Sequence, residues 1–150
     1  MIFDAETKEG AMALARLRDP KTRTVWLTSV TTGGQPQAMP VWFLWLEDEI
    51  LVFGDHRAKR NNNLAANPRV NLHLNEDADG SFVSIDGTAR IDPDHPQAGE
   101  VPAYLEKYGE PIDRWFKGPA GFSQIYSMPI RITPRKGRAF VGHRRAAALC

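Results

Sequence analysis

Between two apolar runs lies Arg57-Ala58-Lys59-Arg60-Asn61-Asn62-Asn63-Leu64-Ala65-Ala66-Asn67-Pro68-Arg69, the stretch of this chain densest in groups able to bind a ligand. Three cations fall within four residues, directly after the strand-like Ile50-Leu51-Val52-Phe53, and three asparagines follow them. Guanidinium and ammonium groups beside short amides suit an anion, either phosphate or carboxylate. Leu64, Ala65 and Ala66 favour a short helix, whose first backbone N–H groups would add a positive end. Asn67-Pro68 stops it, because the residue before a proline avoids the helical region. A solvated basic loop is the competing reading of the same residues.

Other chemistry is scarce. There is no G-x-S-x-G, H-E-x-x-H, Walker lysine loop or C-x-x-C. His56, His73, His95 and His143 lack close ligand spacing, so no metal site is expected, and the single cysteine, Cys150, allows neither a disulfide framework nor a thiolate site. No carboxylate pair stands out for acid–base work, and no catalytic residue is assigned. An enzyme built this way needs a bound cofactor to carry its reaction.

The charge is unevenly spread. Residues 1–113 hold 11 Lys and Arg against 18 Asp and Glu, a net −7, whereas residues 114–150 hold 8 against none, +8. A cationic last quarter fits a subunit contact or a second wall around an anionic ligand. It fits nucleic acid poorly, since Arg131, Arg135, Lys136 and Arg138 lie among strand-like residues and not in a basic block. No run of about 18 uncharged apolar residues exists, and Asp4, Glu6 and Glu9 stand where a signal peptide would be basic then apolar. A cytoplasmic protein with no membrane partner is expected. With 150 residues and 42% hydrophobic content, one domain over 1–150 is the natural reading.

The elements that must position these residues follow from periodicity. Phe3, Thr7, Ala11, Leu14 and Leu17 have helical spacing ahead of Asp19-Pro20. From Thr22 the period becomes two: a hairpin turns at Thr31-Thr32-Gly33-Gly34 into a long arm, Gln35 to Leu46. Pro36 and Pro40 share parity in that arm, which a central strand would not tolerate, so it should lie beside a sheet opening, an edge or a bulge, where a flat ring could lie against Val41 or Trp42. Strands follow over Ile50–Phe53, Arg69–Asn75, Phe82–Ile91 with Gly87 as a candidate bulge, and Pro129–Thr133, ahead of a final extended arm. In the Arg69–Asn75 strand, Asn71, His73 and Asn75 share a polar face that could line the anion site. A helix from about Gln97 to Tyr108, stopped by Gly109, and a turn over Pro111–Phe116 precede the aromatics Trp115, Phe116, Phe122 and Tyr126. About six antiparallel strands without βαβ alternation predict a mainly β, α+β fold: a barrel with peripheral helices.

Leu27-Thr28-Ser29-Val30, Gly34-Gln35-Pro36, Met39-Pro40-Val41-Trp42-Phe43, Leu51-Val52-Phe53 and Asn63-Leu64-Ala65-Ala66-Asn67-Pro68-Arg69-Val70, in this order, resemble the pyridoxamine 5′-phosphate oxidase-like family of flavin- and deazaflavin-dependent oxidoreductases. The resemblance runs from about Thr22 to Thr133. It implies a six-stranded antiparallel split barrel of the FMN-binding type, and a homodimer with two cofactor sites at the subunit interface. Arg60 falls on the family's phosphate-binding position, with Arg57, Lys59, Asn61, Asn62 and Asn63 around it. Asn62 departs from a basic position, and Asp55 would repel an anion unless paired. Ser29, Pro40, Val41 and Trp42 correspond to the segment against the ring. The motif version is most similar to the branch using the 8-hydroxy-5-deazaflavin, coenzyme F420, and the cationic last quarter suits its phosphodiester and oligoglutamate tail. The implied activity is hydride transfer from the reduced deazaflavin to a small conjugated or electron-poor molecule. FMN is the alternative cofactor, and a non-catalytic flavin- or haem-binding module the alternative function.

Overall fold

A computed structural model describes residues 1–142. His143 and Cys150 lie outside the described residues. Helix α1, Lys8–Arg18, starts where the Thr7 hydroxyl accepts the Gly10 N–H at 3.0 Å and ends at Asp19. Its buried face is Gly10, Ala13, Leu14 and Leu17; Ala11 is exposed, and Phe3 is buried ahead of the helix with its ring against Gly137. The predicted stripe therefore holds at its C-terminal half only.

Strands β1 (Thr24–Val30) and β2 (Pro36–Trp42) form the expected hairpin. The Thr31 N–H donates to the Gln35 carbonyl at 2.9 Å, which sets the ladder's parity: Gln37, Met39 and Val41 bond to β1, and the backbone groups of Pro36, Ala38 and Pro40 face outward. β2 is an edge strand, one of the placements the proline parity allowed. From Pro36 to Pro40 its outer side offers a single N–H, that of Ala38.

The long arm is not one strand. It breaks at Phe43, and β3 (Leu44–Trp45) pairs instead with β4 (Ile50–Gly54). With β5 (Arg69–His73), β6 (Phe82–Ile91) and β7 (Met128–Phe140), the sheet runs β2-β1-β5-β6-β7-β4-β3 and is antiparallel throughout. It has seven strands where six were expected. Its two outermost strands are consecutive in the chain with only Phe43 between them, so the sheet must curl on itself. At that seam the Tyr108 hydroxyl enters the β1–β2 ladder, accepting the Phe43 N–H at 2.9 Å and donating to the Arg23 carbonyl at 2.6 Å; Lys107 Nζ donates to the Phe43 carbonyl at 2.9 Å. Side chains thus satisfy the backbone groups that strand pairing abandons.

β7 absorbs the final extended arm. Its register with β6 shifts between Asp86 and Gly87, confirming the bulge expected there, and the step lets Pro134 sit in a long strand. Helix α2 is Arg60–Ala66. Helix α3, Pro102–Phe116, runs straight through Gly109 and Pro111, which were expected to break it. Tyr104, Tyr108, Pro111 and Ile112 form a continuous buried stripe, and burying it outweighs one lost hydrogen bond. Lys117 (φ 60°) and Gly118 (φ 104°) turn the chain into α4, Pro119–Ile125.

Two cores result. One fills the curl, with Leu14, Leu27, Leu72, Ile85, Ile130 and Ile132. The other lies between the outer face of β3 and β4 and the α3–α4 pair, with Leu51, Phe53, Tyr104, Tyr108, Ile112 and Phe122. All five residues of β4, covered on both sides, are buried.

Candidate functional site

A cavity of about 450 Å³ opens where the end of β2, the end of β4 and the start of α2 meet α3 and α4. One wall is Met39, Pro40, Val41 and Trp42; the strand end adds Phe53 and Gly54; and Trp115, Phe116, Phe122 and Tyr126 form the other side. Trp42 is the hub of this aromatic set, stacked on Tyr108 (4.6 Å, 6°) and on Phe122 (5.8 Å, 7°). Phe122 in turn stacks on Tyr126 at 5.0 Å. The aromatic segment that sequence alone left without a place is the roof of the cavity.

Arg60 is the cation in this cavity. Among the described residues its Nε is sealed from solvent with no hydrogen-bond partner and no carboxylate forms an ion pair with it; desolvation holds its pKa below the usual arginine range, with Asp55 acting in the opposite direction. Gly54 makes its seat: a Cβ there would come 3.1 Å from the Arg60 Nη2 and 3.0 Å from Ile130 Cδ1. Asn61 follows it with its Nδ2 donating to the Asp55 carbonyl at 3.0 Å, while its buried Oδ1 has no partner. An unpaired guanidinium at one end of an apolar, ring-lined cavity fits a ligand with an anionic tail and a flat body.

The other predicted residues divide. Pro40, Val41 and Trp42 line the cavity with Arg60. Arg57 does not: it is exposed and bound to Asp55, which takes its backbone N–H at 2.8 Å and its guanidinium at 3.2 Å. The pairing holds the Asp55 carboxyl below the usual range, chiefly through the Arg57 hydrogen bonds, and removes the repulsion expected of it. Lys59 and Asn62 are exposed, Asn63 is half-buried on α2, and Ser29 is 2% exposed within β1; none lines the cavity. The anticipated free N–H groups at the start of α2 are already used, those of Asn61, Asn62 and Asn63 donating to the Ala58 and Lys59 carbonyls.

Two further expectations fail on geometry. The polar face of β5 lies elsewhere: Asn71 donates to Ser84 (2.9 Å) and Asp86 (3.0 Å), His73 stacks on Trp26, and Asn75 accepts the Trp26 indole N–H. The described arginines of the last strand meet their own chain. Arg131 binds Glu49 and Asp92, Arg138 binds Asp86 at 2.8 Å, and Arg135 donates to the Thr88 hydroxyl at 3.2 Å. They form no wall of the cavity. Among the described residues no His, Cys, Asp and Glu cluster could hold a metal, and no helix is long and apolar enough to cross a membrane.

The family model described as pyridoxamine 5′-phosphate oxidase matches residues 13–139. The chain belongs to the pyridoxamine 5′-phosphate oxidase-like family. No curated protein matches it. Among solved structures it is similar to a putative pyridoxamine 5′-phosphate oxidase from Listeria innocua, at 23% identity with 87% of this chain and 96% of that one covered and a TM-score of 0.61. It is also similar to an F420 reductase (19%, 83% and 94%, 0.64) and to the haem storage protein from Vibrio cholerae (20%, 88% and 94%, 0.60). At these identities the shared property is the fold, a curled antiparallel sheet with helices. In this member of the pyridoxamine 5′-phosphate oxidase-like family, Gly54 and Tyr104 are site residues that motif reasoning missed. Tyr104 is wholly buried behind the cavity wall, its hydroxyl without a partner and its pKa pushed up by desolvation.

Proposed function

We propose that this cavity holds a redox ring by its phosphate and that the chain is an oxidoreductase using the deazaflavin coenzyme F420. The observation that carries the reading is Arg60, a partly desolvated guanidinium with no ion-pair partner among the described residues, at the end of a cavity whose walls are aromatic and aliphatic apart from Asp55, which is paired with Arg57. Arg60 would take the phosphate oxygens, Gly54 keeps room for that guanidinium, and Val41 with Trp42 would lie along the ring. Exposed Lys59 beside the buried cation suits an anionic tail that runs outward, as the oligoglutamate of the deazaflavin does. When bound, such a ring supplies a hydride to a conjugated or electron-poor acceptor, and solvent water completes the reduction with a proton.

A single buried guanidinium with no further cation in the lining favours FMN as the second reading, since its one compact phosphate needs no tail subsite. We propose in addition that two copies pair over β2. None of its seven residues is buried, and Met39, 55% exposed, lies on it at the cavity mouth.

Fluorescence titration of the purified chain with oxidised coenzyme F420, beside a titration with FMN, tests the reading. Saturable binding of the deazaflavin, lost in Arg60→Ala, supports it. Firm FMN retention with no deazaflavin binding moves the assignment to FMN, and binding of neither ends it.

A further inference from the structure

A second cavity, of about 520 Å³, lies across β1, β5 and β6 and reaches Arg135 of β7. Strand pairing sets the residues there in rows. Thr28, Asn71 and Asp86 stand opposite one another on β1, β5 and β6, and in the next row Arg69 of β5 stands opposite Thr88 of β6. Residues directly opposite in a ladder share a face, so the Arg69 and Thr88 side chains project the same way.

The bulge supplies the third group. Asp86 pairs with Lys136 and Gly87 with Pro134, so β7 advances two residues where β6 advances one, and Arg135 is the extra residue. A bulge re-aims the side chain it carries, and Arg135 reaches over to β6, its Nε donating to the Thr88 hydroxyl at 3.2 Å. Two arginines therefore flank one threonine, from β5 on one side and from β7 on the other, and all three line the cavity.

Neither cation is neutralised by an acid. Among the described residues Arg69 and Arg135 form no ion pair; Arg135 is held by an uncharged hydroxyl, and the acid of the lining, Asp86, is committed to Arg138 at 2.8 Å and Asn71 at 3.0 Å. A tetrahedral oxyanion can accept a guanidinium on each of two sides and the Thr88 O–H on a third oxygen. A carboxylate has two coplanar oxygens, which a single guanidinium fork already satisfies. Val30 and Pro36, at the β1–β2 end of the cavity, leave apolar surface for a small organic body.

We propose that this groove is an anion site separate from the one at Arg60, and that it takes the phosphate of a small phosphomonoester between Arg69 and Arg135, with the Thr88 hydroxyl as a further donor. The site does not rest on the cofactor reading, because neither arginine lines the first cavity.

NMR titration of the isotope-labelled full chain with phenyl phosphate, beside benzoate as a carboxylate of similar body, tests this. The backbone amide signals of Arg69, Thr88 and Arg135 shift saturably with phenyl phosphate, and do so to the same degree in Arg60→Ala. Arg69→Ala and Arg135→Ala each weaken binding about 3- to 5-fold, as suits exposed cations, and the double variant weakens it about ten-fold or more. Both side chains are exposed, so the variants keep the fold, which the same spectra report. Benzoate, with less charge and one oxygen fewer, binds about five-fold more weakly than phenyl phosphate. Shifts confined to the surroundings of Arg60, or shifts that the double variant leaves intact, overturn the proposal. Equal affinity for benzoate and phenyl phosphate also overturns it and reduces the groove to a non-selective cationic face.

Discussion

Arg60 concentrates the consequences at the scale of single residues. Arg60 is half-buried and its Nε is buried without a partner, which costs the fold, and an anion bound there would recover that cost. Two opposite outcomes follow from one side chain. Arg60→Ala lowers cofactor affinity by about 10- to 100-fold, the worth of a charge-assisted hydrogen bond, and flattens the salt dependence of binding, both read by titration at several ionic strengths. Arg60→Met, in contrast, raises the denaturation midpoint of the ligand-free chain by about 1 kcal/mol of stability. The motif around Asn67-Pro68 singled out Arg60, and the structure puts it in the cavity lining. The fate of Arg57 was not, although it is equally basic and three positions away. Its neutralisation depends on the Asp55 carboxylate folding back over a two-residue turn, a contact that residue type and spacing leave open. Gly54 was not among the expected site residues; its part comes from a guanidinium that reaches it from the next element.

Among the elements, the seam at Phe43 is where side chains substitute for a sheet ladder. Tyr108→Phe leaves the Phe43 N–H and the Arg23 carbonyl unpaired and lowers stability by about 2–3 kcal/mol in chemical denaturation. Lys107 beside it has its pKa lowered to about 8, first by burial and then by Arg23, with its ammonium 3.8 Å over the Phe43 ring. Its folded pKa lies below the unfolded one. Between pH 8 and about 10 the unfolded chain therefore binds the extra proton, and stability rises with pH over that window. Below pH 8 both states are protonated and this contribution is flat. Above about 10 the raised pKa values of Tyr104 and Tyr108 act in the opposite direction. Lys107→Met should abolish the alkaline rise in denaturation midpoints. At the bulge, Gly87→Ala places a Cβ 2.9 Å from the Thr133 carbonyl and costs about 1–3 kcal/mol by the same measurement. The bulge, the β1–β2 hairpin and the edge position of β2 were readable because glycine and proline act locally. The uninterrupted α3 was not: Gly109 and Pro111 are breakers by local rule, and the stripe from Tyr104 to Ile112 that overrides them matters only once β4 is there to receive it.

For the whole molecule, three arginines of the basic last quarter, Arg131, Arg135 and Arg138, are engaged within the chain, while Arg144 and Arg145 lie outside the described residues. Arg131 ties β7 to Glu49 and Asp92, and Arg138 ties it to Asp86. Arg131 and Arg138 hold the Asp92 and Asp86 carboxyls below the usual range through their hydrogen bonds, so this stabilisation is present above the ordinary aspartate pKa and fades as pH falls through the depressed values. Counting charges along the chain suggested a subunit contact or a ligand wall; these arginines are instead engaged by Glu49, Asp92, Asp86 and Thr88 of their own chain. Native mass spectrometry is expected to give a mass near twice 16.8 kDa for the proposed pair of copies. The way two copies could meet is narrowed by β2. Because prolines remove all but one of the outward donors between Pro36 and Pro40, this border is a poor template for another chain's backbone. Association over this seven-residue strand has to be made by side chains and faces.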